Sequence, residues 1–129
     1  GVITKERNCT IVCLPGVPAE MKAIMKESVL PEISKAIGPN YFCEGTLLVS
    51  KVIESILAPF IKGAMKNNPK AYIKSHPKGI IDGASRIELS ITTTAPSKKA
   101  AEKIVNDALD EMQKAVLKLG GFVLKREID

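Results

Sequence analysis

One helix dominates the chain. Ala101, Ile104, Val105, Ala108, Leu109, Met112, Val116 and Leu119 recur at spacings of three and four. Such a stripe forms one apolar face of an α-helix and must be covered. Ser97 stands where an N-cap would, and Gly120-Gly121 supplies a residue free to take positive φ at the end. The outer face carries Lys103, Asp107, Asp110, Glu111 and Lys114, a mixed solvated surface. Just before it, Ile87, Leu89 and Ile91 alternate with Arg86, Glu88, Ser90 and Thr92. That is period two, a strand with one buried and one wet face. A long amphipathic helix beside a one-faced strand calls for an α+β sheet layered with helices.

The neighbouring segments complete that layer. Leu47, Leu48, Val49, Val52 and Ile53 predict a strand. Ile56, Leu57, Phe60, Ile61 and Ala64 predict a helix that ends at Asn67-Asn68-Pro69. Ser55 as its N-cap would put Pro59 near the first turn, where N–H groups lack helical acceptors. Lys70 to Ser75 reads as a short strand, with Ala71 and Ile73 on one face and Lys70, Tyr72 and Lys74 on the other. His76 to Gly83 reads as a loop, and Phe122-Val123-Leu124 as a last strand. The order over residues 43–127 is β-α-β-β-α-β, the ferredoxin-like arrangement.

Residues 1–39 read differently. Thr10-Ile11-Val12-Cys13-Leu14 is apolar on both faces, the pattern of a strand covered by helices on both sides. Pro15-Gly16-Val17-Pro18 turns the chain, and Pro18 suits the first position of a helix. Pro31 stops or restarts that helix, and Gly38-Pro39 marks the boundary. One strand and one helix cannot bury their own apolar faces. The expectation is one βα unit of a larger α/β domain at 1–39, followed by a small α+β domain at 40–129.

Composition narrows the function classes. No apolar run approaches the roughly 18–20 residues of a membrane span. Three cysteines cannot all pair within the chain, so a reducing cytoplasm is the expected setting. Cys9 and Cys13 share a strand face without further ligands and read as buried core thiols. A single histidine excludes a histidine-rich metal site. The net charge of +5 permits anionic partners.

Leu14-Pro15-Gly16-Val17-Pro18-Ala19-Glu20-Met21 resembles the loop after a late strand in the CinA family, and in turn the Pro-Gly-x-Pro loop of MoaB-type molybdopterin-binding domains. Val29-Leu30-Pro31, Glu54-Ser55 and Lys74-Ser75-His76-Pro77-Lys78-Gly79 resemble the small domain that follows in that family, which is described as KH-like. The resemblance implies that residues 1–39 end a nucleotide- or pterin-binding domain whose upstream part would be their partner. It implies a metal-dependent pyrophosphatase acting on ADP-ribose-type dinucleotides, with a divalent metal in the full-length protein and no cofactor in this piece. Pro15, Gly16, Val17 and Pro18 would bind phosphate or nucleotide, and Glu20 would be the catalytic residue or a metal ligand. Gly16 would let backbone approach a phosphate. The family's glycine-rich phosphate loops and metal-binding acids would lie upstream, so this piece is expected to act as a linker or dimerisation domain without activity of its own. Self-association through residues 9–25 is expected, because apolar strand surface is left open.

A second reading is nucleic-acid binding. Lys62, Lys66, Lys70, Lys74 and Lys78 recur every four residues, and no acid occurs from Ser55 to Ile81. Lys70, Tyr72, Lys74 and Lys78 would form the site, lysines around an aromatic on an open sheet face. Solvated lysines on a strand are the plainer alternative. Residues 97–119 contain no glycine and Gly79 to Gly83 is spaced by three, so the G-x-x-G of a true KH domain is absent.

Overall fold

The computed structural model describes all residues, Gly1–Asp129. It is α+β with two antiparallel sheets. The chain divides into two compact units, Gly1–Pro39 and Asn40–Asp129.

The first unit is not a single βα. Strands β1 (Val2–Glu6) and β2 (Cys9–Cys13) form an antiparallel hairpin in which Val2 faces Cys13 and Glu6 faces Cys9. Arg7 takes φ 52° at the turn. Sequence reading missed β1 because its Val2-Ile3-Thr4-Lys5-Glu6 string shows no alternation. Strand β2 is not covered on both sides either. Only Val12 is half-buried, and Cys9 and Cys13 are exposed rather than core thiols. Helix α1 (Pro18–Ile24) runs through a π turn (Met25–Val29) into α2 (Leu30–Ile37). Pro31 cannot donate to a carbonyl one turn back. The widened turn just before it lets the helical path continue. Val29 is the one buried apolar residue of this unit.

The second unit places β3 (Tyr41–Ser50), α3 (Glu54–Asn67), β4 (Tyr72–Ile81), β5 (Ala84–Ala95), α4 (Lys98–Lys118) and β6 (Phe122–Ile128) in chain order. The sheet order is β4-β5-β3-β6, all antiparallel, which is compatible with a ferredoxin-like arrangement. On one face Cys43, Leu47, Val49, Ile87, Leu89 and Ile91 join the buried residues of both helices in one core, with α4 lying over β3 and β5 and α3 over β4. Helix α4 supplies Ala101, Val105, Ala108, Leu109, Met112 and Val116, its inward stripe. Ser97 Oγ accepts the Ala100 N–H at 3.2 Å. Gly120, at φ 78°, ends the helix, and the Gly121 N–H donates to Val116 O at 2.9 Å. That is the paired C-terminal motif in which a left-handed glycine closes the last carbonyls.

Three elements depart from the sequence reading. The supposed loop at 76–83 is strand. Strand β4 runs on to Ile81 with an irregularity between Pro77 and Gly79, then turns at Asp82-Gly83. Both turn residues have positive φ, 52° and 76°, as a two-residue hairpin of the mirror-image type requires. Pro59 lies inside α3, because the N-cap is Ile53 and not Ser55. The ring is exposed, so the carbonyl it leaves without a helical donor is on the wet side. Finally β3 begins at Tyr41 and stops at Ser50; Lys51 then takes φ 58° and Val52 turns into the core.

Polar contacts fasten the edges. Arg126 donates to Gln113 Oε1 at 3.0 Å and Asn106 Oδ1 at 3.1 Å, and pairs with Asp110 at 2.7 Å, tying β6 to α4. The amides of Asn67 and Asn68 donate to Glu111 at 2.7 and 2.9 Å, tying the end of α3 to α4.

Candidate functional site

Two surfaces carry the residues singled out from sequence. The first is the turn between β2 and α1. Val17 is the N-cap, extended at φ −75° and ψ 117°, and Pro18 opens the helix. The Met21 N–H donates back to Val17 O at 2.9 Å. Pro15 is half-buried, while Gly16, Val17, Pro18 and Glu20 are exposed. A Cβ added at Gly16 would meet nothing within 4 Å. Gly16 is therefore open to approach and not crowded by its own unit. Glu20 has no hydrogen-bond or ion-pair partner. No group of three or more His, Cys, Asp or Glu side chains that could hold a metal comes together in the chain. A hard cation takes six or more oxygen ligands, so Glu20 could be at most one of them.

Beside that turn, within the same unit, lies an apolar cleft of about 660 Å³ between the hairpin and the helices. Ile3, Val12, Leu14, Met25, Val29 and Ile33 line it. At its rim Lys5 Nζ donates to Glu32 Oε2 at 2.7 Å. The hydrogen bond and charge of Lys5 hold the Glu32 carboxyl below the usual glutamate range.

The thiols give a direct check on this surface. Burial pushes the Cys43 thiol up, with Glu102 and Asp129 adding to the effect, and only 3% of the residue is exposed. Alkylation proceeds through the thiolate and needs access. In the folded chain, iodoacetamide is expected to modify Cys9 and Cys13 quickly and Cys43 only on unfolding. Mass spectrometry of the labelled peptides reads this directly, and rapid labelling of Cys43 would contradict the packing described.

The second surface is the sheet face of Asn40–Asp129 turned away from the helices. Directly opposed residues in antiparallel strands share a face. Tyr72 faces Thr92, which faces Glu44; Lys74 faces Ser90, which faces Thr46; Thr94 faces Phe42. Tyr72 and Phe42 are 61% and 64% exposed. Ser90 Oγ donates to Glu44 Oε1 at 2.6 Å. Lys70 sits at the turn entering β4, and its carbonyl accepts from Thr93 Oγ1 at 2.7 Å.

Lys78 falls at the β4 irregularity and pairs with Glu88 at 3.1 Å. It is the one member of the Lys70, Tyr72, Lys74 and Lys78 set already neutralised. The five-lysine stripe is not continuous. Lys62 and Lys66 are on α3, which packs on the opposite face of the sheet. His76 faces Glu88 across the ladder and is half-buried.

Phe42 is the residue sequence reading missed. The signal was available: Cys43, Gly45, Leu47 and Val49 alternate inward, which turns Phe42 outward.

No family model matches the sequence. The chain is similar to a protein of Pyrobaculum arsenaticum, 37% identical over 112 residues, covering 87% of this chain and 42% of that one. It is similar to a protein of Aeropyrum pernix, 31% identical over 127 residues, covering 98% of this chain and 47% of that one. A protein of Thermoplasma acidophilum is 29% identical over 123 residues, covering 95% and 47%. The chain thus spans less than half the length of these curated relatives. Among solved structures, a C-terminal segment of the alpha subunit of aIF2 from Pyrococcus abyssi aligns over 87% of this chain and 60% of its own, at 19% identity and a TM-score of 0.47. The de novo designed protein Foldit4 aligns over 69% and 97%, at 15% identity and a TM-score of 0.45.

Proposed function

We propose that this sequence belongs to a longer, CinA-like protein that cleaves a nucleotide pyrophosphate of the ADP-ribose type, with Pro15, Gly16, Val17, Pro18 and Glu20 forming one wall of the site. The observation that carries the reading is the open turn at Gly16 on a unit whose only buried apolar residue is Val29. A hairpin and a kinked helix with that little interior need more protein against the apolar cleft. A MoaB-like domain would supply it, together with the phosphate loops and further metal ligands that this chain lacks. Relatives roughly twice as long support the reading.

On this reading Asn40–Asp129 is a ferredoxin-like, KH-like linker or dimerisation domain. The helices on one face and the sheet order β4-β5-β3-β6 support the assignment. Exposed Ile11, Leu14 and Val17 support self-association of the first unit through residues 9–25. Unpaired thiols fit a cytoplasmic setting.

The test is hydrolysis of ADP-ribose, with and without Mg²⁺, by the protein at its relatives' length. Glu20→Ala is expected to lower kcat by about a hundredfold or more, the usual scale for a lost acid–base or ligand group, with the circular dichroism spectrum unchanged. Full activity in that variant, or activity in the 129-residue chain alone, would remove the assignment.

A further inference from the structure

The open sheet face of Asn40–Asp129 takes no part in the proposed chemistry, yet it is built unevenly. At one end three cations are paired with acids and a fourth, Lys51, lies over the Phe122 ring, 5.0 Å from its centre. Lys78 meets Glu88 at 3.1 Å, Lys125 meets Glu127 at 2.7 Å and Arg86 meets Asp82 at 3.9 Å. At the other end Lys70 and Lys74 belong to no ion pair. Lys74 shares the Tyr72 face, Lys70 lies in the turn two residues before Tyr72, and Phe42 lies two strands away on the same face. Strand spacing and rise put the Cα atoms of the two aromatics about 12 Å apart, room for different bases. Glu44 sits two residues from Phe42 on β3, level with Tyr72 across Thr92, one oxygen taken by Ser90 and the other available as an acceptor. Around them the face is small and polar (Thr46, Ser90, Thr92, Thr94), while Leu48 and a third exposed ring, Phe122, lie toward the other end of the sheet. Exposed aromatics, unpaired cations and a lone acceptor are complementary to an anionic chain carrying flat rings.

We infer that this face binds single-stranded nucleic acid, with bases stacked on Phe42 and Tyr72, phosphates held by Lys70 and Lys74, and Glu44 accepting a hydrogen bond from an exocyclic base amine. The contact differs from a KH groove and needs no G-x-x-G. Glu44 repels phosphate, so the backbone must run along the β4 side while the bases reach inward. A carboxylate acceptor suits the cytosine N4 amine, which uracil lacks.

The experiment is fluorescence anisotropy of labelled oligocytidylate and oligouridylate with the 129-residue chain, between about 50 and 200 mM salt. Binding to oligocytidylate is expected to be salt-dependent and tighter than to oligouridylate. Phe42→Ala and Tyr72→Ala are each expected to weaken it about tenfold, the lower part of the range for one lost stack. Lys70→Ala with Lys74→Ala should flatten the log–log salt slope by about 1.4, two phosphates on a single strand. Glu44→Ala should abolish the preference for cytosine, and Lys125→Ala, already paired, should change little. These side chains are on the surface, and circular dichroism checks that the variants fold. No binding at the lowest salt would overturn the inference and leave the face to a protein partner. Binding that follows the lysines but ignores Phe42 and Tyr72 would overturn it as plain polyanion attraction. Equal affinity for the two oligonucleotides would remove Glu44 from the site.

Discussion

Gly45→Val is expected to destabilise Asn40–Asp129 by about 3 kcal/mol, the upper end for overpacking a filled core. At Gly45 the side chains of α4 lie directly against the backbone of β3. A Cβ there would lie 2.5 Å from Val105 Cγ1 and 2.9 Å from a Leu109 methyl. Both neighbours are fully buried and cannot swing away. Valine adds two further methyls, so α4 must lift off β3 and leave voids under the rest of its stripe. For a unit of this size the midpoint of thermal unfolding should fall by roughly 12 °C or more. Gly63→Ala is the matched control. Gly63 is inside α3 with nothing within 4 Å of an added Cβ, and alanine there should add about 0.5–1 kcal/mol. Opposite signs at two glycines of one unit are the expected result in urea unfolding. A Gly45→Val loss under about 1 kcal/mol would mean that α4 does not pack on β3 as described.

Leu57→Ala is expected to cost about 3 kcal/mol, within the usual range for a buried leucine. Its effect should be local. Helix α3 has no side-chain cap, carries Pro59 inside, and buries only Leu57, Ile61 and Ala64. Helix α4 is capped by Ser97 and buries seven residues. The weaker helix opens first when its anchor is removed. Amide hydrogen exchange should therefore rise in α3 and in its neighbour β4, while α4 and β3 keep the rate of global unfolding. A uniform rise across the unit would show that α3 has no stability of its own to lose. Since β4 carries Tyr72 and Lys74, loosening it also bears on the open face.

The α4 stripe from Ala101 to Val116 was legible but for Ala115, buried outside the stripe as read, and Ile104, only partly buried, because helical spacing separates the inward from the outward side. The same holds for Ile87, Leu89 and Ile91, and for Ala71 and Ile73 against Tyr72. The hairpin at Asp82-Gly83 was legible in principle, as that dipeptide favours two consecutive positive φ values. Reading His76 to Gly83 as loop gave too much weight to Pro77 and Gly79, which mark an irregularity in an edge strand rather than its end. The first unit was the least legible. A both-sided apolar string at Thr10 to Leu14 implies burial only if a covering layer is present, and here β2 pairs with β1 and remains exposed. Of the candidate site residues, Tyr72 and Lys74 were placed correctly on the outward face. Lys78 was not recognisable as paired, since Glu88 is ten residues away and meets it only across the β4–β5 ladder.

By itself the sequence determined element types, their order in the second unit, and which side of each element turns inward. These follow from periodicities of 3.6 and 2, which are properties of a few consecutive residues. Only the tertiary structure decided which strands are neighbours. Strand order depends on closing loops between distant segments, and no local spacing records it. That order, β4-β5-β3-β6, puts Phe42 and Tyr72 on one face two strands apart, sets Glu44 level with Tyr72 across Thr92, and splits five evenly spaced lysines between a helix and the sheet beneath it.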